Sequence, residues 1–203
     1  MRVLIACEFS GIVRDAFIDR GHDAVSCDLE PSERDGPHHV GDAINFAYMG
    51  GPWDLMIAHP PCTYLTVTGN KWFKPEYAHR FPDRRQHRAD GVRFFMQLAD
   101  APIDRICIEN PVGIMSTSWR KPDQIIQPYQ FGHPEPKKTC LWLKGLPKLQ
   151  PTKLCEPEYM MTKSGKRLAK WYFQPSNTPD RQRMRNRTFQ GIADAMANQW
   201  GNV

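Results

Sequence analysis

Four short stretches hold the residues best able to do chemistry: Cys7-Glu8-Phe9-Ser10-Gly11, Asp28-Leu29-Glu30, His59-Pro60-Pro61-Cys62 and Glu109-Asn110-Pro111. In the third, two consecutive prolines hold the chain extended and remove two backbone donors. The next side chain is therefore presented by a stiff segment, and Cys62 stands there. A thiol so placed suits nucleophilic attack once its neighbours favour the thiolate; half-buried among apolar groups it is a structural thiol. Glu109 closes an apolar run, where desolvation is expected to raise its pKa. A carboxyl that keeps its proton near neutral pH donates to a heterocycle nitrogen. The plain alternative is a carboxylate paired with a nearby Lys or Arg. Together, Cys62 and Glu109 read as an electrophile-activation pair.

The other two stretches suit a ligand rather than a reaction. Phe9-Ser10-Gly11 leads into a helical pattern, so Gly11 allows close backbone approach and the helix amino end favours electron-rich groups. A single glycine is a weak signal. Asp28 lies 17 residues after Gly11, about where a carboxylate grips ribose hydroxyls in nucleoside-binding sheets. A turn residue or helix cap is the ordinary alternative. Gly41-Asp42 offers a further carboxylate. Between Lys71 and Arg93, the cations Lys71, Lys74, Arg80, Arg84, Arg85, Arg88 and Arg93 interleave with Trp72, Phe73, Tyr77 and Phe81. Such a stretch can neutralise phosphates and fill the space left by an extruded base. It can equally be a solvated helix with its apolar side on the core. A second basic cluster, Arg181 to Arg187, includes Arg185 and Arg187 and suits phosphate contact. His133, Cys140 and Cys155 lack the close spacing of structural zinc sites, so no metal is expected.

These residues need elements to position them. Val3–Ala6, Ala24–Cys27, Asp54–Ala58 and Ile103–Ile108 read as strands. Helices are predicted over Gly11–Arg20, with Ile12, Ala16 and Phe17 inward and Arg14 on the polar side, and over about Arg84–Ala99, with Val92, Phe95, Met96 and Ala99 inward. Strands alternating with helices indicate an α/β fold with a mostly parallel sheet, whose strand ends carry all four stretches to one edge. Cys140–Leu143 is a further strand in the proline-rich part 111–187, and Thr188–Trp200 an amphipathic helix with Ile192, Ala195, Met196 and Gln199 on one side.

Composition sets the bounds. At 203 residues, 40% hydrophobic and 24% charged, the chain fits one folded domain, with a basic-aromatic loop-helix insertion about 63–93 and a reduced, loop-rich region about 111–187. The net charge of +5 permits a polyanionic partner without demanding one. No apolar run reaches the roughly 20 residues of a membrane helix. Without an export signal, all six cysteines are expected as free thiols in the cytoplasm.

In this order, the stretches resemble the cytosine-5 DNA methyltransferase family, most nearly its small phage- or prophage-type members. Phe9-Ser10-Gly11 resembles the first cofactor motif, Asp28-Leu29 the ribose-binding acid and its packing neighbour, and Gly41-Asp42 the motif facing the adenine. Pro61-Cys62 is similar to the nucleophile motif, and Glu109-Asn110 to its glutamate-asparagine partner. Lys137, within Phe131 to Lys138, takes the place of an arginine that contacts the base. The last helix resembles the closing motif. The resemblance implies a Rossmann-like S-adenosylmethionine-dependent methyltransferase fold acting on carbon 5 of cytosine in DNA. The cytosine would be flipped from a duplex or lie in a single strand. Cys62, Glu109, Asn110 and Lys137 are then catalytic; Phe9, Ser10, Gly11, Asp28, Leu29, Asp42 and Pro60 hold S-adenosylmethionine; Lys71, Lys74, Arg84, Arg85, Arg88, Arg185 and Arg187 meet nucleic acid. Rival readings are methylation of an exocyclic amine, transfer to a free nucleotide, or a silent nucleic-acid-binding protein of the same fold.

Overall fold

In the computed structural model, residues 1–162, 164–170, 183 and 185–202 are described. Nine strands and five α-helices are named among them: β1 Arg2–Ala6, α1 Ile12–Ile18, β2 Asp23–Asp28, β3 His38–Val40, α2 Ala43–Met49, β4 Leu55–Ala58, α3 Arg84–Ala99, β5 Ile106–Pro111, α4 Met115–Ser118, β6 Gln124–Ile126, β7 Thr139–Lys144, β8 Tyr159–Met161, β9 Arg167–Ala169 and α5 Gln190–Trp200. A seven-stranded sheet runs in the order β3-β2-β1-β4-β5-β7-β6. The first five strands pair in parallel, and β7 alone is reversed, antiparallel to β5 and to β6. This is the expected Rossmann-like, mostly parallel α/β architecture. The chain direction along the sheet changes between β1 and β4, which opens a crevice beyond their carboxyl ends.

The strands are continuous apolar runs because both faces of the sheet are covered. Val3 and Ile5 of β1 pack with Val13 and Phe17 of α1 and with Ile192, Met196 and Trp200 of α5. Leu4 and Ala6 point the other way, into a cluster with Ala43 and Ala47 of α2, Phe95 and Leu98 of α3, and Trp142 of β7. The period of two in β1 thus decides which helix layer each residue meets. No helix among the described residues is long and apolar enough to cross a membrane.

Several local expectations are corrected. Arg14 is fully buried rather than on a solvent face. Its guanidinium donates to Ser26 and Ser32 hydroxyls and to the carbonyls of Arg34 and Asp35, fastening the loop after β2. Gly11 serves the same packing. It has φ 72°, and a Cβ there would come within 2.6 Å of the Arg14 guanidinium. The stretch from Arg84 onward is the start of α3, the crossover between β4 and β5. Its expected inner face holds: Phe95 is buried and Val92, Met96 and Ala99 pack against the same core, with Leu98 buried beside them. The strand expected over Ile103–Ile108 begins later and runs through Glu109 and Asn110, because these residues pair with Leu141 and Cys140 of β7.

Candidate active site

The exits of β4 and β5 are fastened to each other. Asn110 Nδ2 donates to the Pro60 carbonyl at 2.9 Å. Further out, Val67 N–H donates to the Val112 carbonyl at 3.1 Å and Ile114 N–H to the Leu65 carbonyl at 2.9 Å. Gly113 is required at this crossing, since a Cβ there would collide with the Leu65 carbonyl. The Cys62 carbonyl accepts from the backbone of Leu65 and Thr66, which closes a turn immediately after the two prolines. The result is a rigid mount for Cys62, whose side chain is half-buried. Sequence reasoning found the stiff presentation but not these ties, which depend on β4 and β5 being neighbours.

Two charged side chains act on that thiol. Burial pushes the Cys62 pKa up; the Lys137 charge pulls it down and the Glu109 carboxylate adds to the rise. Glu109 lies one step past Ile108 in the β4–β5 register and faces His59, one step past Ala58. His59 Nδ1 is 3.2 Å from Glu109 Oε2. Glu109 departs from its expected state: burial raises its pKa, but His59, Lys137 and a hydrogen bond from Thr188 outweigh that and hold it below the ordinary carboxylate range. His59 shows the mirror image. Burial lowers its pKa, yet Glu109 and then Glu8 outweigh burial and Lys137 and hold it above the usual imidazole value. At rest, therefore, the proton of this pair sits on the imidazole side.

The β1–β3 exits carry the residues expected to hold a cofactor. Cys7 turns the chain at the end of β1 with φ 58°. Glu8 is then aimed at the start of α1, where it accepts from the backbone of Val13 and Arg14 and from the Ser10 hydroxyl. Asp28 accepts from Glu30 N–H and Asp42 from Ile44 N–H, the latter capping α2. The charges of both carboxylates act on the Cys7 thiol, whose pKa is pushed up by burial, then by Asp28, Cys27 and Asp42. Leu29, beside Asp28, is 77% exposed. A small cavity at the switch point is lined by Cys7, Glu8, Phe9, Ser10, His59, Asn186 and Thr188. Pro60 is buried and does not line it.

The cationic residues divide. Arg88 lies 3.4 Å from the Phe73 ring centroid and donates to the Tyr64 carbonyl and to Asn70. Arg84 stacks on Tyr64, Phe73 and Phe81 and donates to the Gly69 carbonyl. These two arginines thus hold the loop after Cys62 in shape. Trp72 is likewise taken up by Tyr77 and Phe81. Lys71, Lys74 and Arg85 point to solvent, with Lys71 over Trp72 and Lys74 beside Glu76. Arg187 is paired with Glu33, as is Arg183, and Arg183 also covers the Phe9 ring at 4.7 Å. Arg187 therefore fastens the segment before α5 onto the β2–β3 loop. The Arg185 carbonyl accepts from Lys137 Nζ at 3.0 Å. Arg181, also in the second basic cluster, lies outside the described residues.

Sequence reasoning missed His59 as a partner of Glu109, Thr188 as its hydrogen-bond donor, and Glu33 as the anchor of Arg183 and Arg187. Only His59 carried a signal, its place at a strand end before the two prolines.

No family model matches the chain, and no curated protein matches it. Among solved structures it is similar to an E. coli protein described as a "putative DNA modification methyltransferase encoded within prophage Cp", at 14% identity and a TM-score of 0.47. The likeness covers 77% of this chain and 52% of that one, so the chain spans about half the length of that protein.

Proposed function

We propose that this protein is an S-adenosylmethionine-dependent DNA methyltransferase acting on carbon 5 of cytosine. One observation carries the reading. A half-buried thiol on a proline-stiffened turn and a buried carboxyl stand on strand exits tied by Asn110 to Pro60, with one lysine acting on both charges. That arrangement suits addition of the thiol to a pyrimidine and protonation at the opposite ring edge.

The chemical difficulty is that carbon 5 of cytosine is a poor nucleophile. Attack of the Cys62 thiolate on the adjacent ring carbon forms a carbon–sulfur bond and shifts the ring's electron pair toward the ring nitrogen. Glu109 offsets that charge by placing a proton on the nitrogen, the electrostatic support that dominates such reactions. Carbon 5 is then an enamine carbon and nucleophilic. Lys137 favours the thiolate and is placed to steady the base or its phosphate. Asn110 keeps the Glu109 strand and the Cys62 turn in register.

The β1–β3 side fits S-adenosylmethionine by its donor set. Asp28 ends β2 and Asp42 caps α2 after β3, and both charges act at the end of β1, which suits ribose hydroxyls and a positive sulfonium; exposed Leu29 offers an apolar surface to an adenine. Phe9, Ser10 and Pro60 complete that wall, while Gly11 is engaged with Arg14. When bound, the cofactor supplies an electrophilic methyl group. Exposed Lys71, Lys74 and Arg85, in the loop after Cys62 and at the start of α3, suit the phosphates of DNA, and a stacked cytosine would have to be flipped out to reach Cys62.

The test is to incubate the protein with methyl-labelled cofactor and cytosine-containing DNA, then digest and identify the labelled nucleoside. 5-Methylcytosine is expected from the native protein. For Cys62→Ser, transfer falls by roughly 10⁴-fold with cofactor binding kept, the scale of losing a nucleophile. Label on an exocyclic amine, or unchanged turnover in the serine variant, overturns the covalent cytosine reading.

A further inference from the structure

His59 is buried in a way that packing alone does not explain. Its side chain is 12% exposed and its Nδ1 sits 3.2 Å from Glu109 Oε2. Nε2 is buried with no hydrogen-bond partner among the described residues. Structural histidines in cores normally have partners for their polar atoms. The other charged or titratable groups facing the ring have their own engagements. Glu8 is tied to the start of α1, Lys137 donates to the Arg185 carbonyl, Cys7 lines the same cavity as a thiol, and Cys62 follows three residues on. Glu109 is the charged group in contact.

We propose that His59 is a positioning and proton-holding residue that keeps the proton Glu109 must deliver to the ring nitrogen. The inference rests on the cytosine-5 reading and deepens it. At rest the pair is imidazolium and carboxylate, which leaves Glu109 without the proton that its role requires. As Cys62 adds to the ring and the nitrogen becomes basic, the His59 Nδ1 proton passes to the Glu109 carboxylate and from that carboxyl to the nitrogen, so Glu109 ends the step ionised again. The imidazole is left neutral, with its remaining proton on Nε2. When carbon 5, now bearing the methyl group, loses its proton to solvent, the C5–H electrons re-form the ring double bond and expel the Cys62 thiolate, and the nitrogen's proton returns to Glu109 and then to His59. The carbon 5 proton is the one released over the cycle, and the His59–Glu109 pair ends as it began. Passing the imidazolium proton to Glu109 also removes the negative charge that opposes the Cys62 thiolate.

The test uses His59→Gln, with His59→Asn as a second variant, across pH 5 to 8. At pH 8 the glutamine variant is expected to lose about 10²-fold in kcat, the usual range for a general acid. The gap to the native protein narrows toward pH 5, where bulk protons load Glu109 directly. In Glu109→Gln, whose amide has no proton to be refilled, the further change His59→Gln adds less than about 3-fold. A pH-independent loss, or losses that multiply in the double variant, overturns the proposal. NMR titration of the His59 ring gives an answer independent of activity. Its midpoint should fall in Glu109→Gln, and an unmoved midpoint overturns the pairing even if no methyl reaches cytosine. Should the native protein methylate an exocyclic amine instead, the cytosine reading fails while the titration still judges the pair.

Discussion

The two halves of the sheet's carboxyl edge are built on different principles. At the β4 and β5 exits, groups far apart in sequence fasten to one another: Asn110 to Pro60, Val67 to Val112, Ile114 to Leu65 and Glu109 to His59. At the β2 and β3 exits, each carboxylate is held by its own turn, Asp28 by Glu30 and Asp42 by Ile44, beside a leucine left open to solvent. A reaction needs its groups fixed to within about half an ångström, and cross-ties between strands supply that. A ligand that enters and leaves needs presented groups and little strain. On the proposed function, the first half is the reaction centre and the second the reversible cofactor surface.

The strongest way to break this comparison is Glu109→Gln. The amide keeps the shape of the site but abolishes its ion pair with His59. Turnover is expected to fall about 10²-fold or more, with the cofactor's Kd unchanged within about 2-fold by equilibrium titration. A change in cofactor affinity as large as the change in kcat would mean that the two halves are one site. Next in size is Asn110→Ala, which leaves the Pro60 carbonyl without its donor. Denaturant unfolding should show a loss of about 1–3 kcal/mol. Because Cys62 hangs from the same segment, kcat should drop while KM for DNA stays close to native. Loss of stability with unaltered kcat would show that the tie serves only the fold.

Most of the sheet was legible because strands covered on both faces leave apolar runs of the right length. What escaped is what pairing partners decide. Ile103 looks like strand, yet its N–H turns back to the Ala101 carbonyl, and β5 instead extends through Asn110 because β7 lies alongside. β3 carries two histidines, of which His38 bonds to Ser26 and the Glu30 carbonyl, so no apolar run marks it. Arg14 occupies a polar position on α1 by period alone, but loop carbonyls wrap it. At the site, Cys62 and Glu109 could be singled out from local chemistry. The sign of the Glu109 shift could not, since it depends on His59 and Lys137, 50 residues before it and 28 after it.

The segment before α5 sharpens the comparison from another side, because it is clamped by charge rather than by backbone ties. Glu33 lies below the usual carboxylate range: burial would raise it, but Arg187 and Arg183 prevail. A depressed carboxylate contributes stability above its unfolded pKa of roughly 4.3 and loses it as pH falls through the folded value. Glu33→Gln should therefore cost about 1 kcal/mol at pH 7, given partners that are themselves partly exposed. The cost should shrink in thermal unfolding as pH falls from the unfolded value toward the lower folded one, and vanish below it. A penalty that persists there would mean that Glu33 works by packing.

The smallest effect separates binding from folding most cleanly. Leu29 is 77% exposed, so Leu29→Ser removes almost no buried area and should change stability by less than about 0.5 kcal/mol. If the β2–β3 side is a surface for an adenine, the same change strips the apolar group on which the ring would rest. Covering most of a leucine side chain on binding contributes about 1–2 kcal/mol. Titration calorimetry with S-adenosylmethionine should thus show a Kd raised roughly 5- to 30-fold at unchanged thermal stability. Asp28→Asn should act in the same direction, since it removes the charge offered to ribose. If both variants bind as the native protein does, the open half of the edge is not the cofactor's place, and the contrast between the two halves loses its functional meaning.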